Sequence, residues 1–189
     1  MADNSTATAK PISNIRCVLP YKDLREWLVE VEKLGELVVT KGLDSQKEIG
    51  MAAEMLMHPD EAPCVVFDEI PGYKKGHRVL VNFFAGKRKN MTLGFPTDLN
   101  KLELSEAYYE HQLKGLEPIP YKIVEDGPVL ENIQEGEQVD VNRFPAPLWH
   151  EADGGRYLGT GSYDVTMDPD NHSLNLGTYR VMIHDKNHV

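Results

Sequence analysis

Five prolines, Pro118, Pro120, Pro128, Pro145 and Pro147, recur between Glu117 and Gly155. Proline fixes φ and has no N–H to donate, so neither a helix interior nor a central strand can run through such a stretch. A chain punctuated in this way is built in two parts joined by an irregular crossover, and its composition changes across the join. Before it the periodicity is mixed helix and strand; after it, strand.

From Asp23 the apolar residues Leu24, Trp27, Leu28, Val31 and Leu34 share one helical face, with Asp23 and Glu26 as start signals and Gly35 as a stop. A short strand over 37–40 follows. Ser45 with Glu48 reads as a capping box opening a second helix, which carries Ile49, Ala52, Ala53, Leu56 and Met57 and ends before Pro59. Two β-prone runs, 64–67 and 78–84, flank a Pro71-Gly72 turn, and a third helix is predicted within 98–113, ending at Gly115. This half is α/β. Beyond Gly155, 157–166 and 174–184 are β-prone and separated by Asp168-Pro169-Asp170-Asn171, so a hairpin is predicted. That turn lacks the spacing and closing Glu of a calcium loop.

With 20 Lys and Arg against 30 Asp and Glu, the net charge of −10 leaves no basic face for a phosphate backbone or an anionic bilayer, so neither nucleic acid nor membrane is an expected partner. No apolar run approaches the ~18 residues of a membrane span, and residues 1–13 carry no apolar signal segment. They read as a disordered tail, and the expected location is cytoplasmic. Cys17 and Cys64 stand apart without a CxxC companion, which suggests no zinc site. The basic runs Lys74-Lys75-Gly76-His77-Arg78 and Lys87-Arg88-Lys89 read as solvated loops.

The densest signal is Pro145-Ala146-Pro147-Leu148-Trp149-His150-Glu151-Ala152-Asp153-Gly154-Gly155-Arg156-Tyr157-Leu158-Gly159-Thr160-Gly161, then Asn175-Leu176-Gly177-Thr178-Tyr179-Arg180, then His184-Asp185-Lys186. Glycines in β-prone runs mark bulges or a surface on which a flat group can lie. These motifs, in this order, resemble the stretch entering the prenylated-flavin site of the UbiD family of decarboxylases; the opening Asp-Leu-Arg helix and the strand at His77 to Leu80 resemble it more loosely.

The resemblance implies an α/β (α+β) fold: an N-terminal α/β domain over 14–116, then over 117–189 the crossover and the first strands of an incomplete split β-barrel. It implies a carboxy-lyase of an aromatic or α,β-unsaturated carboxylic acid, using prenylated FMN, Mn2+ or Mg2+, with K+ as a further candidate. A flavin prenyltransferase would supply the cofactor, and the complete protein would be a homo-oligomer. Asn175 matches the asparagine that binds the metal holding the cofactor's phosphate. Arg180 matches the catalytic arginine that orients the substrate carboxylate, a task suited to a planar bidentate donor. Thr160, Gly177, Thr178 and Tyr179, with Arg180, fall where the family wraps the cofactor. The resemblance places a metal histidine, a metal glutamate and two proton-moving glutamates further along than Val189, so the isolated segment is expected to be inactive. Two other readings stand beside it: a non-catalytic binding or assembly subunit, and a flavin oxidoreductase with unmodified FMN.

Overall fold

The computed structural model describes residues 15–189 apart from residues 60, 116, 118 and 119; the tail expected over residues 1–13, and Pro118, lie outside the described residues. α1 (Leu24–Lys33) begins where Asp23 accepts the N–H groups of Arg25 and Glu26, and Gly35 at φ +71° turns the chain after it. β1 (Leu37–Lys41), α2 (Glu48–Met57), β2 (Cys64–Asp68) and β3 (Val79–Val81) follow.

The sheet order is β1-β2-β3. Bonds from Cys64 N–H to Glu36 C=O and from Gly42 N–H to Asp68 C=O advance in the same sense, so β1 and β2 run parallel with α2 as their crossover. β3 returns antiparallel through the Pro71-Gly72 turn, with Val65 opposite Val81 and Phe67 opposite Val79. Ile49 and Ala53 of α2 close on Val65, Phe67, Ile70 and Val81 in one core, with Trp149 and Tyr73 packed at its margin.

The start of α2 differs from the sequence expectation. Lys47 stands at the N-cap and makes no side-chain cap bond; Asp44, not Ser45, builds the turn before it, its carboxylate accepting the N–H groups of Gln46 and Lys47 while Glu48 accepts the N–H of Asp44. Ser45 is instead buried, its carbonyl accepting the N–H of Leu148. A tertiary bond has taken the residue that local sequence offered as a cap.

α3 (Gly86–Thr92) was not foreseen, because no apolar periodicity marks it. It corrects the reading of Lys87-Arg88-Lys89 as a solvated loop. Arg88 is 1% exposed, paired with Glu36 at 2.8 Å and donating to the carbonyls of Ala62 and Asn82. α4 (Lys101–Tyr108) carries a complete Asn100–Glu103 capping box and continues into a π turn over Tyr109–Leu113. Ile15, Phe95, Leu99, Leu104 and Ala107 form a second core.

Two compact units alternate along the chain: the described residues of Met1–Leu37, Asp60–Cys64 and Asn82–Ile123 make one, and Val38–Pro59, Val65–Val81 and Val124–Val189 the other. Packing therefore groups the chain in an interleaved way, with the last change of unit at Ile123/Val124, inside the proline-spaced stretch. Among the described residues no helix is long and apolar enough to cross a membrane.

Candidate functional site

The second unit ends in a hairpin, β4 (Tyr157–Met167) and β5 (Leu174–Met182). Its turn is built by Asp168, whose carboxylate accepts the N–H groups of Asp170 and Asn171. These bonds, that from Asn171 first, hold the Asp168 carboxyl below the usual carboxylate range. The register is Thr166–Asn175, Asp164–Gly177, Tyr163–Thr178 and Ser162–Tyr179, then Gly159–Val181. Two residues of β4, Thr160 and Gly161, thus oppose Arg180 alone, which is a β-bulge.

Side chains alternate across a strand, so Asn175, Gly177 and Tyr179 share one face with Ser162, Asp164 and Thr166. Thr178 and Arg180 belong to the other face, with Leu174, Leu176, Tyr163, Val165 and Met167. The six expected site residues thus lie on one hairpin, yet Asn175 and Arg180 point from opposite faces. Five residues of extended strand also separate them by ~17 Å. Both side chains are exposed and have no hydrogen-bond or ion-pair partner among the described residues.

Gly177 has a specific reason. A Cβ built there would lie 2.6 Å from the Tyr179 hydroxyl and closer still to its ring, so the phenol folds back over the bare backbone. The flat group lying on Gly177 is this protein's own Tyr179, a flexible and half-exposed side chain. The donors on this face are oxygens of an amide, hydroxyls and one carboxylate, the set that a hard divalent cation takes. Their chemistry is of the kind the implied metal takes, and Tyr179 rather than open space covers Gly177.

The hairpin is rooted in the segment before it. Leu148 donates to the Ser45 carbonyl, and the carbonyls of Leu148 and Trp149 lie against Gly50 of α2, leaving no room for a Cβ. Arg156 reaches Tyr73 Oη at 3.3 Å and Asn142 Oδ1, while its carbonyl accepts the N–H of Ile183. These anchors were not foreseen in the sequence. His150 Nε2 lies 3.3 Å from Glu54 and His58 Nε2 lies 2.9 Å from it. The bonds from His150 and then His58 hold the Glu54 carboxyl below its usual range. Among the described residues no group of three His, Cys, Asp or Glu side chains is placed to hold a metal.

Residues 122–189, which contain the whole hairpin, match the UbiD family model described as a 3-octaprenyl-4-hydroxybenzoate carboxy-lyase Rift-related domain. The chain is 34% identical over 177 residues to a pyrrole-2-carboxylic acid decarboxylase of Pseudomonas aeruginosa, covering 87% of this chain and 34% of that protein. The chain belongs to the UbiD family. A phenolic acid decarboxylase of Sedimentibacter hydroxybenzoicus is 33% identical over 180 residues, covering 89% of this chain and 36% of its own length. Among solved structures, vanillic acid decarboxylase of the same organism superposes in its open form with TM-score 0.75 at 28% identity and in its closed form with 0.74 at 27%. These matches cover 88% of this chain and 35% and 36% of theirs. The UbiD-family chain described here thus spans about a third of the length of these relatives.

Proposed function

We propose that this UbiD-family chain contributes to a carboxy-lyase that removes or adds carbon dioxide on an aromatic or α,β-unsaturated carboxylic acid. The supporting observation is the hairpin: it lies inside the family match and carries Asn175 and Arg180 exposed and without partners among the described residues. Relatives described as decarboxylases of pyrrole-2-carboxylic and phenolic acids point to the same reaction class. On this reading β4 and β5 are strands of a split β-barrel.

Prenylated FMN, when bound, supplies the electron sink that accepts the pair left by departing carbon dioxide. The chain's own residues bind and orient. Asn175 would hold Mn2+ or Mg2+ through its amide oxygen, and the bound cation would supply positive charge beside a phosphate. Arg180 offers two parallel N–H donors to a carboxylate, fixing the plane of the group that leaves. Asn175 and Arg180 stand ~17 Å apart on opposite faces of the hairpin, so each meets a different group, the metal at one end of β5 and the carboxylate at the other. Thr160 in the bulge opposite Arg180, together with Thr178, lines the Arg180 end; Gly177 and Tyr179 line the Asn175 end. Proton transfer is assigned to no residue of this chain.

The test uses the protein purified from cells that also make a flavin prenyltransferase, with whatever copurifies. Arg180→Ala should abolish turnover of a phenolic or pyrrole carboxylic acid while flavin absorbance is retained. Asn175→Ala should lower both flavin absorbance and bound manganese. Full activity of Arg180→Ala would overturn the catalytic assignment. The second reading, an assembly subunit, has its own support: Tyr163, Val165, Met167, Leu174 and Leu176 leave one face of the hairpin apolar and exposed. It predicts a purified complex free of flavin.

A further inference from the structure

β1 is a margin of its sheet, flanked by β2 alone among the described residues. The bonds from Cys64 N–H to Glu36 C=O and from Gly42 N–H to Asp68 C=O fix the parity of the parallel ladder. Even-numbered residues of β1 turn their backbone toward β2, and Leu37, Val39 and Lys41 turn theirs away. No backbone bond from another segment reaches these three among the described residues. Sheet edges are ordinarily blunted by Pro, a bulge or a free charge, because a row of open N–H and C=O groups is a template for another strand. β1 reads Leu-Val-Val-Thr-Lys, with neither Pro nor Gly, and Val38 and Val39 are about half exposed on its two faces. Its one charge, Lys41, is drawn onto Glu69 at 2.7 Å.

We propose that β1 is a self-association edge: two copies of this chain pair antiparallel through it about a two-fold axis at Val39, joining two three-stranded sheets into one of six. The occupant is a second copy because the strand is complementary to itself. The axis sets Val39 opposite Val39, Leu37 opposite Lys41 and Val38 opposite Thr40, so β-branched side chains meet and no like charges face each other. Charge selects the same place. Two chains of net charge −10 repel, yet residues 37–41 carry no acid, and Lys41 arrives beside the second copy's Glu36. A five-residue edge buries well under the ~1,200 Å2 of a standard interface, so the dimer is weak and forms as concentration rises. None of this depends on the carboxy-lyase reading.

Sedimentation velocity of the full chain over a wide range of concentration tests this, with the average mass expected to climb toward twice that of one chain. Val39→Pro removes only an outward N–H, which an edge strand tolerates, and should hold the chain monomeric at an unchanged melting temperature. Val39→Lys, which sets two cations against each other on the axis, should do the same and carries the test if the proline variant fails to fold. Register is read by oxidation in a Cys17→Ser background, which removes the exposed thiol. Val39→Cys should cross-link to its own copy, the opposed Cα atoms being ~5.5 Å apart. Lys41→Cys, whose counterpart lies ~13 Å along the strand, should cross-link at least about tenfold more slowly. A monomer at every concentration would overturn the proposal. So would association that survives both Val39 variants but is lost when Val165 and Leu176 are replaced by Thr, which would move it to the hairpin. Cross-linking of Lys41→Cys as fast as of Val39→Cys would overturn the two-fold register and the proposal with it.

Discussion

Arg88 shows how far a side chain's role is set by residues distant in sequence. Its Nη1 pairs with Glu36 and its Nη2 with two carbonyls, while its Nε is buried without a partner. Removing one partner of a buried pair strands the other charge and its neighbours, so Arg88→Ala should cost about 3–5 kcal/mol in a denaturant melt. A loss within the ±0.5 kcal/mol of an ordinary surface change would show that Arg88 is solvated. Nothing local marks it, since it lies between two lysines and its partner is 52 residues away. Asn175 and Arg180, by contrast, are proposed from local sequence, because both stand in an ordered motif six residues long. The cysteines also divide by packing. Burial pushes the Cys64 thiol up to about 11, whereas Cys17 is exposed. A thiol reagent at pH 8 should label Cys17 at once and Cys64 only through unfolding. A raised thiol value means that its stabilising contribution is intact below the unfolded value of ~8.5 and disappears as pH rises toward 11.

At the scale of elements, α2 was legible in its apolar face and its stop before Pro59, but its cap and its packing partner were not. Ser45 satisfies the local capping rule equally well; the bond from Leu148 to its carbonyl decides against it, and that contact spans the proline-rich crossover. Gly50 gives the sharpest consequence. Helix propensity alone predicts that Gly50→Ala stabilises by about 0.8–1 kcal/mol. The Leu148 carbonyl oxygen would lie 2.7 Å from the new Cβ and the Trp149 carbonyl oxygen closer still, and backbone cannot rotate away as a side chain can. Overpacking of this kind costs about 1–3 kcal/mol, so the net effect should be destabilising, with greater amide exchange over 147–150. A rise in melting temperature would show that the crossover does not rest on α2. Caps also set the acid limit of these elements. Asp23, Asp44 and Asp168 all have carboxyls held below the usual range, chiefly by backbone N–H bonds. Groups with a lowered folded value stabilise fully above the unfolded value of ~3.9 and lose that contribution as pH falls through the folded one. Stability should therefore be level from pH 7 to about 5 and decline below about 4, and Asp44→Asn, which keeps the acceptor of the turn before α2 but not the charge, should blunt that decline.

For the molecule as a whole, the hairpin poses the largest physical question. A two-stranded ribbon is marginal alone, and on one face of this one Tyr163, Val165, Met167, Leu174 and Leu176 are all exposed by half or more. The β-prone residues and the turn were readable, since period-two alternation and the Asp-Pro-Asp-Asn signal are local. What could not be read was which face would be left uncovered, because Val, Leu and Tyr look alike in sequence whether or not something packs on them. An apolar face of this extent binds hydrophobic dyes and favours association. Replacing Val165 and Leu176, cross-strand partners in the register, by Thr keeps β-propensity while removing apolar surface. The double variant should show markedly less dye fluorescence with stability changed by no more than about 0.5 kcal/mol per site, because exposed side chains bury little on folding. Unchanged fluorescence would move the apolar surface to the exposed Tyr121, Ile123, Val129 and Ile133 of the crossover, whereas a large loss of stability would mean that this face is covered in solution.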